Sequence, residues 1–94
     1  MAAINLIAVN EARPDTVAEV KAHLDEYAKH VLSMDGSERF EVYIDKEVPS
    51  RVVVIEQYRD EAAFAEHIAD PENAVLNGKT GPLLESEVSL QFLV

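Results

Sequence analysis

The chain contains no cysteine, so it can form neither a disulfide nor a thiolate metal site. It also lacks tryptophan, and its 8 lysines and arginines face 18 aspartates and glutamates, a net charge of −10. A surface this acidic repels phosphate backbones and anionic lipids, so neither nucleic acid nor a membrane surface is an expected partner. No apolar run is long enough to span a bilayer, and the N-terminus has no basic or long apolar leader, so the expected location is cytoplasmic.

Apolar residues, in contrast, are plentiful: 48% of the 94 residues are hydrophobic. This length predicts a single domain that spans residues 1–94. A lone domain of this size removes only about 60–65% of its unfolded surface from water. The surplus of apolar residues therefore indicates that some of this surface is shared with a second subunit, and we expect a homodimer.

Changes in the spacing of apolar residues divide the chain into elements. Alternating or β-branched segments predict strands at residues 3–10, 38–45, 51–58 and 87–94. Apolar residues at three- and four-residue spacing predict a helix from Pro14 to about Ser33 and a second one from Glu61 to about Ala69. Asp70-Pro71 should end the second helix, and residues 72–86 should be irregular with one or two short helical turns.

The resulting order, β-α-β-β-α-(short α)-β, is that of a ferredoxin-like split βαβ fold. The predicted fold class is α+β, with the helices covering one face of an antiparallel sheet. The other face still carries apolar residues from several strands, and the chain has no further element to cover it. A second copy packed sheet to sheet would do so, which predicts a dimeric α+β barrel.

Residues 51–67, RVVVIEQYRDEAAFAEH, resemble the signature of the antibiotic biosynthesis monooxygenase (ABM) family. That signature is an apolar strand ending in Glu-x-Tyr or Glu-x-Trp, followed by Asp-Glu-x-Ala and by a histidine on the helix. Upstream, residues 36–43 and the following Val48-Pro49 are similar to the second strand and loop of the family. The resemblance covers nearly the whole chain, and it implies a dimeric α+β barrel with a pocket between the sheet and the helices of each subunit.

The resemblance also implies a range of activities. Members include oxygenases that use neither metal nor flavin, isomerases of a small phosphorylated compound, haem-degrading enzymes and proteins without an established activity. The haem-degrading members depend on an Asn–Trp–His set, and the missing tryptophan argues against that reaction. We therefore expect a monooxygenase without cofactor or metal, acting on a small phenolic, quinol or polyketide-like substrate. The alternatives are a non-catalytic dimeric ligand-binding domain and an isomerase of a small carbonyl compound, with or without a phosphate group.

His67 and Glu56 are the first candidate catalytic residues. His67 shares a helix face with Phe64 and should point toward the sheet, where a neutral imidazole could take a proton from a phenol or an enolisable ketone. Glu56 could orient His67 or act as a base with a raised pKa. The alternative roles are structural: a His67 that locks helix to sheet, and a Glu56 that pairs with a nearby arginine at the dimer interface.

Asn5 is the third candidate catalytic residue, because it interrupts an apolar strand. Its amide could bind a substrate carbonyl or stabilise an enolate, unless neighbouring backbone groups satisfy it. Tyr43, Tyr58 and Phe64 are the expected substrate-binding residues, since tyrosine hydroxyls could bond a substrate oxygen and aromatic rings could stack on it. A packing role in the core or the dimer interface is the alternative for these rings.

Overall fold

The computed structural model describes residues 2–94, so Met1 of the predicted domain lies outside the described residues. The strands are β1 (Ile4–Glu11), β2 (Ser37–Ile44), β3 (Arg51–Tyr58) and β4 (Ser89–Leu93). The helices are α1 (Val17–Leu32), α2 (Glu61–Ala69) and α3 (Pro71–Thr80), followed by a short 3₁₀ turn at Gly81–Leu83. The strands form one antiparallel sheet in the order β2-β3-β1-β4. The predicted ferredoxin-like α+β fold is confirmed.

The first helix begins later than predicted. Residues 13–16 form a turn in which the Thr16 amide donates to the Arg13 carbonyl at 2.9 Å, and the Thr16 hydroxyl donates to the Leu83 carbonyl at 2.8 Å. The helix proper starts at Val17 and ends at Leu32, close to the predicted end. Its buried stripe consists of Val20, Leu24, Tyr27 and Val31, as the spacing predicted.

The prediction of only short helical turns after Asp70 was wrong, because residues 71–80 form one continuous helix. Pro71 occupies the first helical position, where the missing amide hydrogen costs nothing. The Asp70 carboxylate caps this end by accepting from the Glu72 amide at 2.8 Å. The Asp70-Pro71 pair therefore ends α2 and begins α3 at the same point.

Strand register decides which side chains face the helices. Leu6 lies opposite Glu56, and Ala8 lies opposite Val54. All of these side chains are buried on the helix side of the sheet. The opposite face carries two apolar cross-strand pairs, formed by Ile7 with Ile55 and by Val9 with Val53, and these four residues are only half-buried. We call this surface the open face.

Gly36 sets the turn between α1 and β2. Its φ of +87° lies in the left-handed region that side chains other than glycine rarely adopt. A Cβ atom there would also lie 2.6 Å from Cβ of Ala63 in α2. Glycine is therefore required here for two reasons: the backbone conformation, and the close packing of the turn against α2. Within residues 2–94, no helix has both the length and the apolar character needed to cross a membrane.

Candidate functional site

A cavity of about 180 Å³ lies between the helices and the buried face of the sheet. Its apolar walls include Leu6 and Ala8 of β1, Leu24 of α1, Phe40 of β2 and Leu76 of α3. An apolar cavity of about 150 Å³ is large enough to bind benzene. This cavity can therefore hold one aromatic ring.

Helix α2 brings His67 to the wall of this cavity. The Asp60 carboxylate fixes the start of the helix by accepting from the Ala63 amide at 2.9 Å. The His67 ring is only 4% exposed, and it lies between the Tyr58 and Tyr27 rings at centroid distances of 4.8 and 6.0 Å. Among residues 2–94, Nδ1 of His67 has no hydrogen-bond partner. A buried ring nitrogen without a hydrogen-bond partner costs free energy.

Glu56 faces His67 from β3. The Tyr58 hydroxyl donates to Oε1 of Glu56 at 2.6 Å, a short hydrogen bond to a carboxyl oxygen. The Nε2 atom of His67 lies 3.7 Å from the same oxygen. That distance is too long for a hydrogen bond, but it is short enough to couple the charges of the two groups.

Burial controls the protonation of this cluster. It raises the pKa of Glu56 to about 7, against the opposing effect of the Tyr58 hydrogen bond. It lowers the pKa of His67 to about 4, so the imidazole is neutral near pH 7. Burial and the adjacent Glu56 also raise the pKa of Tyr58, which keeps its hydroxyl protonated.

Four of the predicted site residues meet in this region: His67, Glu56, Tyr58 and Phe64. Phe64 lines the cavity and packs against Tyr58 at a centroid distance of 5.3 Å. Tyr58 itself is fully buried behind Glu56, so it acts on the cavity through the Glu56 carboxyl group. The alternative in which Glu56 pairs with an arginine is contradicted, because the nearby arginines bind other carboxylates: Arg39 binds Glu41, Arg51 binds Glu11, and Arg59 binds Asp35.

The structure does not bring Asn5 and Tyr43 into this cluster. Asn5 pairs with Gln57 in the β1–β3 register, so its side chain lies on the open face. Tyr43 is 51% exposed on the same face, and its hydroxyl donates to Glu41 at 3.0 Å. Because successive strand residues point to opposite faces, neither side chain can reach His67 through the sheet.

Sequence reasoning missed several polar residues on the cavity wall. They are Asn10 on β1, Tyr27 on α1, and Asn73, Asn77 and Thr80 on α3. The i, i+4 spacing of the two α3 asparagines would have signalled a common helix face had the helix been recognised. In the part of the chain that the structure describes, the wall includes no lysine or arginine, and no cluster of metal-ligating side chains is found.

Comparisons with known proteins agree with this architecture. The family model for antibiotic biosynthesis monooxygenase matches residues 3–74. Rv0793 from Mycobacterium tuberculosis is 26% identical with a TM-score of 0.90, over 99% of this chain and 94% of that one. A conserved protein from Methanosarcina mazei Go1 is 22% identical with a TM-score of 0.92, over 99% and 92% of the two chains.

A third solved structure, of an antibiotic biosynthesis monooxygenase, is 18% identical with a TM-score of 0.88, over 97% of this chain and 96% of that one. No curated protein matches the chain significantly. The match to the family model spans most of the sequence, from β1 into α3, and it confirms the resemblance carried by residues 51–67. The protein therefore belongs to the antibiotic biosynthesis monooxygenase family.

Proposed function

We propose that the protein is a cofactor-independent monooxygenase that acts on a single-ring phenol or hydroquinone. The observation that carries this proposal is the buried His67–Glu56 pair on the wall of a cavity sized for one aromatic ring. Family membership supports oxygen chemistry. The lack of lysine and arginine on the described wall favours a neutral substrate over a phosphorylated one, which would need basic partners.

In the proposed reaction, the pair removes the phenolic proton. The proton moves to His67, and an ionised Glu56, whose Oε1 lies 3.7 Å from Nε2, would stabilise the imidazolium that forms. His67 alone is a weak base, but an ionised Glu56 beside its ring would make it a stronger one. Glu56 has a pKa of about 7, so its carboxyl group is partly ionised near neutral pH.

The substrate then supplies the electrons for oxygen reduction. The electron-rich phenolate ring attacks O₂, and a carbon–oxygen bond forms. The O–O bond breaks as the ring hydrogen leaves as a proton. One oxygen atom stays in the quinone product and the other leaves as water, so that phenol and O₂ give quinone and water with no external reductant.

The test is oxygen uptake with a panel of single-ring phenols and hydroquinones. We expect His67→Gln to lower the rate by at least about 100-fold, the usual contribution of a general base. His23→Gln is the matched control, because His23 is also a helix histidine but is not among the residues that line this cavity. Equal uptake by wild type and His67→Gln would remove His67 from the mechanism. Turnover without O₂ would indicate an isomerase, and tight binding without turnover a ligand-binding domain.

We also infer that the protein is a homodimer assembled through the open face. The half-buried pairs of Ile7 with Ile55 and Val9 with Val53 form a continuous apolar strip that a second sheet would cover. Ile55→Asp should yield a monomer in sedimentation experiments. Ile68→Asp places the same charge on an exposed position of α2 and should leave the dimer intact. A wild-type monomer at micromolar concentration would contradict this inference.

A further inference from the structure

A chain of side-chain hydrogen bonds ends at Tyr27 on the wall of the cavity. Nδ2 of Asn77 donates to Oδ1 of Asn73 at 3.1 Å, and Nδ2 of Asn73 donates to the Tyr27 hydroxyl oxygen at 3.1 Å. All three residues line the cavity. The two asparagines stand one turn apart on α3, so the chain runs along that helix and crosses to α1.

This arrangement determines what the Tyr27 hydroxyl can do. Its oxygen already accepts from Asn73, and its own hydrogen has no acceptor among residues 2–94. Burial raises the pKa of Tyr27, with the Asn73 hydrogen bond opposing, so the hydroxyl stays protonated. Aligned hydrogen bonds polarise one another, which makes this O–H a stronger donor. A buried donor without an acceptor costs free energy until a ligand or water accepts it.

We propose that Tyr27 is the oxyanion donor of this cavity, binding the phenolate oxygen while Asn73 and Asn77 orient and polarise its hydroxyl. The proposal rests on the proposed binding of a phenol in the His67 cavity. Tyr27 and His67 line the same cavity with their ring centroids 6.0 Å apart, so a phenol bound there would lie beside both side chains. Tyr27 would stabilise the negative charge that appears as the His67–Glu56 pair takes the proton, without adding a positive charge to a buried site.

The probe for this role is 4-nitrophenol, whose phenol and phenolate forms absorb at different wavelengths. A pH titration of the bound probe gives its pKa in the cavity without any turnover. Loss of a hydrogen bond to a charged group corresponds to a change of about tenfold or more. We therefore expect Tyr27→Phe to raise the pKa of the bound probe by about one unit. Tyr43→Phe removes the same oxygen from the open face and should leave the value unchanged.

Asn73→Ala provides a second variant that leaves the Tyr27 ring in the core, and it should raise the probe pKa in the same direction by a smaller amount. A bound-probe pKa that is equal in wild type and Tyr27→Phe would overturn the role of Tyr27. It would leave the oxygenase proposal standing if oxygen uptake still depends on His67. No spectral change with wild-type protein would overturn the phenol site itself. Phenolate stabilisation by Tyr27 without oxygen uptake would support the donor and refute the oxygenase.

Discussion

Replacing Glu56 with glutamine should stabilise the protein, with a gain that grows as the pH rises. Glu56 is only 6% exposed, and its carboxyl group accepts the Tyr58 hydroxyl. Glutamine retains an oxygen for that hydrogen bond but cannot ionise. The substitution therefore removes the cost of charging a buried carboxyl group while conserving shape and hydrogen bonding.

The sign and size of the effect follow from the pKa of Glu56, which burial raises from 4.5 to about 7. A raised pKa gives stability that is fully present below pH 4.5 and is lost as the pH passes through about 7. At about 1.36 kcal/mol per pKa unit, the difference amounts to about 3 kcal/mol. The gain from Glu56→Gln should thus rise from near zero at about pH 4 to about 3 kcal/mol at about pH 8.

The wild-type protein alone would hide this effect. His67 has its pKa lowered by burial from 6.5 to about 4, so its contribution to stability increases as the pH rises over that range. The opposing contributions of Glu56 and His67 largely cancel, and the wild-type stability should vary little between about pH 4.5 and 6.5. The difference between wild type and variant isolates Glu56, because all other groups titrate in both.

Urea unfolding at several pH values, at a fixed protomer concentration, measures this difference. Glu41→Gln is the matched control on the open face. Arg39 holds the pKa of Glu41 low, so glutamine there should give no gain that rises with pH. If Glu56→Gln is instead less stable than wild type at about pH 8, the reasoning fails. Glu56 would then be ionised in the folded state and paired with a protonated His67.

Three further substitutions test the frame around the site. Gly36→Ala should lower the free energy of unfolding by about 1–3 kcal/mol, because φ is positive and the new Cβ meets Ala63. An unchanged midpoint in urea unfolding would contradict the close packing of Gly36 against Ala63. Asp60→Ala should lower the free energy of unfolding by about 1 kcal/mol, because α2 loses its N-terminal cap. The control Asp35→Ala, at an exposed turn, should lower it less, and equal losses would argue against a capping role for Asp60. Ala8→Leu should fill part of the cavity and weaken 4-nitrophenol binding in a spectroscopic titration while the protein remains folded; unchanged affinity would place the phenol elsewhere.

Most of the fold was accessible from local patterns. Strand β3 is rich in β-branched residues, and the apolar stripe of α1 recurs at helical spacing, so each element is specified by its own residues. Helix α3 was missed because Pro71 has two meanings: it stops a preceding helix and it is favoured at the first position of a new one. Asp70 caps the new helix, and only the structure shows which meaning applies.

The site was only partly accessible, for a different reason. His67 and Phe64 lie three residues apart on α2, so their common face follows from helical spacing. The face of the sheet on which the Asn5 and Tyr43 side chains lie depends on strand register. Register is set by pairing between strands and not by the sequence of one strand. The pairing of Asn5 with Gln57 puts Asn5 on the face away from Glu56, and a shift of one residue would have reversed that result.

Polar groups that lack hydrogen-bond partners, or that burial keeps from ionising, lie around this cavity, and this favours a ligand-binding role for it. Nδ1 of His67 lacks a partner, the Tyr27 hydroxyl lacks an acceptor, and burial opposes the ionisation of Glu56. A buried polar group without its full set of partners costs stability, and an apolar side chain of similar shape would avoid the cost. They nevertheless line one cavity, on whose wall two other polar groups, the Asn10 amide and the Thr80 hydroxyl, already bond to backbone carbonyls. A phenol bound in this cavity would lie beside both His67 and Tyr27, and it could donate to the first and accept from the second.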